Sequence, residues 1–111
     1  MSRGLGRVER DILTLLERNT HLSAPVLSAL IYQEPATVSQ YSAVRRALAR
    51  LQKRGLVVKL GSLFHGERCS YANRANAAVI AARTARELGE SALDYYPQLA
   101  QLYAQEMTAR G

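Results

Sequence analysis

The stretch Ser42–Val57, SAVRRALARLQKRGLV, decides how this chain is to be read. Together with Tyr41 just before it, Val44, Leu48 and Leu51 recur at i, i+3, i+7 and i+10. That spacing lays one apolar stripe along an α-helix. Thr37 and Gln40 supply its start as a capping box, in which each side chain satisfies the other residue's backbone N–H. Gly55 supplies its stop. The face opposite the stripe carries Ser39, Ser42, Ala43, Arg46, Ala49, Arg50 and Lys53, with Arg45 on its flank. This outer face is small and polar near the N-terminus and turns cationic further along. After Gly55 the period changes from that of a helix to that of a strand. Leu56–Leu60 and Arg68–Ala72 read as two strands, and Gly61 and Gly66 bracket their connection, which predicts an antiparallel hairpin.

Upstream, Leu5, Val8, Ile12, Leu15 and Leu16 predict an amphipathic helix over residues 3–18, ended by Asn19-Thr20. A second helix starts at Ser23, with Pro25 in the first turn, where a missing N–H costs little. Val26, Leu27, Leu30 and Ile31 form its inner face, and Gln33-Glu34-Pro35 ends it. Downstream, Asn73 or Asn76 caps an alanine-rich helix running to Gly89, and Pro97 opens a last helix. The expected fold is mainly α with a small β-hairpin, an α+β chain. Residues 1–73 form one unit and residues 74–111 a C-terminal helical element. A length of 111 residues fits one ordinary domain.

The formal net charge is +6, and its placement says more than its size. Between Ser39 and Arg74 lie Arg45, Arg46, Arg50, Lys53, Arg54, Lys59, Arg68 and Arg74, opposed only by Glu67. One contiguous third thus holds all the excess positive charge. Charge of this kind fits a face that meets a polyanion, and it fits a solvated basic surface equally well. Against the solvated reading, the third helix holds no acid of its own to pair with its arginines.

The order helix, helix, cation-faced helix, hairpin, helices resembles the winged helix-turn-helix fold of bacterial transcription regulators, broadly the MarR/PadR type. The resemblance rests on Ser42, Val44, Arg46, Leu48 and Leu51, in the pattern S-x-V-x-R-x-L-x-x-L. A basic-Gly-Leu-Val step over Arg54–Val57 then turns into the wing. It covers about residues 5–73, and the proline-containing segment Gln33–Thr37 departs from the pattern. The resemblance implies a sequence-specific double-stranded DNA-binding protein, a homodimeric transcriptional regulator. Helix 39–54 would enter the major groove, and the wing, residues 56–72, would lie along the minor groove.

In that arrangement Arg46 suits a bidentate contact with guanine, Ser39 or Ser42 reaches base or phosphate, and Ser42, Ala43 and Ala49 keep the face small near the base edges. Arg45, Arg50, Lys53 and Arg54 suit phosphates, Arg68 and His65 sit at the wing tip, and Gln40 and Lys59 complete the expected DNA-binding set. Tyr95, Tyr96, Leu99, Leu102, Tyr103 and Met107 make the C-terminal segment apolar enough to pair with a second copy, or to fold back on its own chain. The same contacts serve a plasmid or phage replication, partition or mobilisation factor. A winged-helix protein–protein adaptor would need no such cationic field.

Other chemistry finds little footing. His65 and Cys69 lie four apart with no partners at zinc-ligand spacing, and His21 stands alone, so no metal is expected. Gly4-Leu5-Gly6 lacks the third glycine of a dinucleotide fingerprint. No nucleophile elbow or catalytic carboxylate pair stands out, so neither an enzyme nor a cofactor is expected. The tyrosines near the C-terminus could line a pocket for a small-molecule effector. A single cysteine fits a reducing, cytoplasmic setting, and no apolar run approaches the ~20 residues of a membrane span.

Overall fold

The computed structural model describes residues 4–33, 35–61 and 69–110. Their order is α1 (Arg7–Arg18), β1 (Leu22–Ser23), α2 (Ala24–Tyr32), α3 (Val38–Lys53), β2 (Val57–Gly61), β3 (Ser70–Asn73), α4 (Arg74–Leu88), a 3-10 helix (Glu90–Tyr95) and α5 (Pro97–Arg110). The chain is mainly helical, with one three-stranded antiparallel sheet in the order β1-β3-β2. That is an α+β architecture.

The helix starts follow their local chemistry. Ser23 Oγ accepts from the Val26 N–H at 3.4 Å, and Pro25 occupies the first turn of α2. At α3 the capping box forms: Thr37 Oγ1 accepts from the Gln40 N–H at 3.1 Å, and Gln40 Oε1 accepts from the Thr37 N–H at 2.9 Å. Asn73 caps α4, its Oδ1 accepting from the Asn76 N–H at 2.7 Å. Arg54 is the last residue of α3 geometry, and Gly55 leaves it at φ 75°, a conformation that favours glycine.

Four features depart from the expectation. The first helix begins at Arg7 and not near residue 3, because the Gly6 N–H donates to Glu9 Oε1 at 3.1 Å and closes the helix there. β1 is a short third strand, pairing Leu22 with Tyr71 and Ser23 with Ser70. The hairpin strands sit one or two residues later than the pattern implies, at 57–61 and 70–73. Their register slips between Lys59 and Gly61, leaving Leu60 as the extra residue of a bulge. A 3-10 helix also fills the link between α4 and α5.

The sheet separates two cores. On one face, Ile12 and Leu16 of α1, Leu27 of α2, and Val44, Ala47, Leu48 and Leu51 of α3 close around Val57, with Tyr71 and Leu22 against them. On the other, Val58, Leu60 and Ala72 meet Ala77 and Ala81 of α4, Leu93 of the 3-10 helix, and Leu99 and Leu102 of α5. Adjacent residues Val57 and Val58 therefore serve opposite cores, as a strand requires. The 73/74 boundary falls between the cap of α4 and its first residue, and the hairpin is shared by both cores. Among the described residues no helix is long and apolar enough to cross a membrane.

Candidate functional site

The inner stripe of α3 is fully committed to the first core: Val44, Leu48 and Leu51 are each at most 1% exposed. This burial fixes the rotation of the helix and so turns its opposite face outwards. Ser39, Arg45, Arg46, Ala49, Arg50, Lys53 and Arg54 are exposed, and Ser42 and Ala43 are half-buried beside them. Lys59 extends the row onto β2, also exposed. His65 and Arg68, expected at the hairpin tip, lie outside the described residues.

Three of these side chains have partners that refine their expected roles. Gln40 holds the Thr37 N–H with its carbonyl oxygen, so that oxygen serves the helix start and not a surface contact. Arg45 stands over the Tyr41 ring, its guanidinium carbon 5.9 Å from the centroid, which steadies a cation at the helix flank. Arg50 Nε lies 3.4 Å from Glu9 Oε1. The Glu9 side chain is only 9% exposed, whereas that of Arg50 is 55% exposed. The third helix has no acid of its own, but α1 delivers one across the core. Among the described residues the only other ion pair is Arg7–Asp11. Arg45, Arg46, Lys53 and Arg54 therefore face solvent with no carboxylate within ion-pair reach among those residues.

Glu9 was within reach of sequence reasoning. Leu5, Glu9, Ile12 and Leu16 share a helical face, so an acid stands on a buried stripe and calls for a partner. Its partner, 41 residues away, leaves no local trace. Tyr71 on β3 has its phenol pushed above its ordinary value, chiefly by burial and next by Cys69; Arg45 opposes the shift and Tyr41 adds to it. The group Tyr41–Arg45–Tyr71–Cys69 thus joins the start of α3 to the sheet.

The C-terminal residues divide into three sets. Leu99 and Leu102, expected to meet a second copy, are 1% and 2% exposed inside the chain's own second core, because α5 packs against β2 and α4. Tyr96 and Tyr103 pack partly on that core, and Tyr95 and Met107 are left exposed. Between α4 and α5 a groove of about 320 Å³ is lined by Val79, Arg83, Arg86, Tyr103, Glu106 and Met107, among others. Among the described residues no cluster of three or more His, Cys, Asp or Glu could hold a metal. Comparison with models of known protein families, with curated proteins and with solved structures finds no match to this chain.

Proposed function

We propose that the chain is a winged helix-turn-helix protein that binds double-stranded DNA as a homodimeric transcriptional regulator. One observation carries the reading: α3 turns outwards a row of cations, Arg45, Arg46, Lys53 and Arg54, that no carboxylate neutralises among the described residues. Support also comes from topology. Three helices and a short first strand lead into a hairpin, with the strand order β1-β3-β2. An α-helix fits the major groove, and the half-buried Ser42 and Ala43 let its backbone approach base edges. Arg46 is the base-reading residue in this proposal, and Arg45, Lys53, Arg54 and Lys59 are phosphate contacts.

The second copy would dock on the α4/α5 groove. Arg83 and Arg86 come from one wall and Glu106 from the other, around Val79 and Met107, which are 58% and 50% exposed. A two-fold axis through such a face sets each copy's cations against the other's acid and buries the apolar pair. The DNA target would then be an inverted repeat with half-sites about one helical turn apart.

The test is a mobility-shift and anisotropy titration of the full chain against random duplex at several salt concentrations, followed by selection of bound sequences. Binding should weaken steeply with salt, because neutralised phosphates release counterions. Arg45→Ala should weaken binding to all sequences and lower the salt slope by about one. Arg46→Ala should cost about 1–3 kcal/mol and relax preference at one base pair. Absence of any shift at micromolar protein and low salt would overturn the proposal and favour a protein–protein adaptor.

A further inference from the structure

One row of side chains crosses the whole sheet on the face that α3 covers. In register, Leu22 of β1 stands opposite Tyr71 of β3, and Tyr71 stands opposite Lys59 of β2. Side chains directly opposite one another are about 4.5–5.5 Å apart at Cβ. Lys59 is two residues after Val57 and so shares its face, the face turned to the first core. From α3, Tyr41 rests against the same core as Tyr71, and Arg45 stands over the Tyr41 ring at 5.9 Å. The Tyr71 phenol lies within electrostatic range of Cys69, Arg45 and Tyr41. Tyr71 is thus the common neighbour of two cations, one on the helix and one on the hairpin.

The polar groups of this cluster are free to meet a ligand. Gln98 Oε1 accepts from the Lys59 backbone N–H at 2.8 Å, which steadies the strand and leaves the exposed ammonium unused. Arg45 is exposed, and neither cation has a carboxylate partner among the described residues. The hydroxyls of Tyr41 and Tyr71 also lack a hydrogen-bond partner among those residues. No side-chain N or O atom there is both buried and unpartnered, so these half-buried tyrosines keep their hydroxyls open to water. Cys69 directs its thiol to the Ser70 carbonyl oxygen at 3.8 Å and adds no charge of its own.

Taking α3 to meet a duplex, we propose that Tyr71 is a phosphate-binding residue, its hydroxyl holding, together with Arg45 and Lys59, one backbone phosphate at the junction of helix and hairpin. A helix in the major groove and a ribbon along the neighbouring minor groove straddle one sugar–phosphate backbone, because that backbone is the ridge between the grooves. The junction of α3 with the hairpin is where this ridge passes. A tyrosine hydroxyl donates to phosphate oxygens and fixes register without reading sequence. Tyr71 suits that role because β3 is the central strand, held by β1 on one side and β2 on the other. The two cations ride on long side chains, and the phenol between them is the rigid member of the set.

Anisotropy titrations of the full chain against a random-sequence duplex, at several salt concentrations, test this with Tyr71→Phe, Lys59→Gln and the double variant. Tyr71→Phe removes one unpartnered oxygen, so the melting midpoint at neutral pH should not move. Duplex binding should weaken about tenfold, as for a lost hydrogen bond to a charged group. The salt slope should stay the same, because a neutral hydroxyl releases no counterion. Lys59→Gln should also weaken binding, and should lower the slope by about 0.9. The double variant should lose less than the product of the two separate losses, since both groups serve one phosphate. If the unaltered chain binds and Tyr71→Phe binds equally well, or loses binding only through a lowered midpoint, the role of Tyr71 is overturned and the duplex-binding proposal stands. Losses that simply multiply would place Tyr71 and Lys59 on different phosphates and overturn the shared site. No binding by the unaltered chain would overturn both proposals.

Discussion

The two faces of the sheet are packed with different material. The first core is built from long aliphatic side chains, Ile12, Leu16, Leu27, Leu48 and Leu51 among them, contributed by three helices. The second places alanines at the helix–sheet contact: Ala72 on β3 and Ala77 and Ala81 on α4, each fully buried. Interlocking branched chains hold α3 at one rotation, so its cationic face owes its direction to Leu48 and Leu51. Small residues let α4 lie close to the sheet, and the leucines of α5 and the 3-10 helix then fill the outer side. The two cores should therefore fail in opposite ways, the first when atoms are removed and the second when atoms are added.

The largest effect is expected on the first core. Leu48→Ala should lose about 2–5 kcal/mol, the transfer energy of the leucine plus the cavity it leaves. Against a typical domain stability of about 5–15 kcal/mol this is a large fraction, readable as a lower midpoint in urea unfolding. Ala81→Leu is the mirror test. It should cost about 1–3 kcal/mol by overpacking, while Ala49→Leu on the exposed face of α3 should be near neutral. If Ala81→Leu were as harmless as Ala49→Leu, the contact between α4 and the sheet would be loose and the contrast between the cores would disappear.

Asparagines tie the two cores together. Asn73 Nδ2 and Asn76 Nδ2 both donate to the Leu16 carbonyl oxygen, at 3.2 and 3.1 Å, in the last turn of α1. Asn73 also caps α4. Asn73→Ala should remove the cap and one of the two bridges, for about 0.5–2 kcal/mol. Asn73→Asp, which keeps the capping acceptor and loses only the donor, should recover most of the loss. A failure to recover would assign the stability to the bridge and make the cores more interdependent than the cap alone implies.

What could be read from the sequence was short-range. The Thr37–Gln40 box, Ser23 before Pro25, and Asn73 before the alanine run each act within one helical turn, and each forms where it is expected. The stripe Val44–Leu48–Leu51 is equally local, so the outward face of α3 followed from it. Periodicity shows that a face is covered without showing by what. That is why Leu99 and Leu102, expected to meet a second copy, lie instead in the core of their own chain. β1 has two residues, too few to express any period. The Glu9–Arg50 contact and the Gln98 brace on the β2 edge join residues 41 and 39 apart in sequence. Such pairings exist only once the helices have packed.

Glu9 offers a finer probe of how the first core serves the α3 surface. Glu9→Gln keeps an oxygen for the Gly6 N–H and removes the charge facing Arg50. The guanidinium is more than half exposed, so water replaces much of what the carboxylate supplied. The stability loss should stay below about 1 kcal/mol. If the duplex-binding proposal holds, the released Arg50 should act as one more phosphate contact, steepening the salt dependence by about 0.9 in slope. An unchanged slope with unchanged stability would mean that Arg50 is placed by the core independently of its charge partner.

The smallest effect lies at high pH, on the face of β3 that belongs to the first core. Tyr71 packs there with its phenol pushed above its ordinary value of about 10, first by burial and then by its neighbours. The raised value means that the folded chain holds the phenolic proton more tightly than the unfolded chain does. That contribution is fully present below the unfolded value and is lost as pH rises through the folded one. Stability should therefore decline as pH climbs past about 10, and Tyr71→Phe should flatten the decline in pH-dependent urea unfolding. Arg45 works against the shift. Arg45→Ala should accordingly steepen the alkaline decline in the presence of Tyr71 and have no such effect in the Tyr71→Phe background. Equal slopes in both backgrounds would separate Arg45 from the sheet and leave Tyr41 as its only partner at the start of α3.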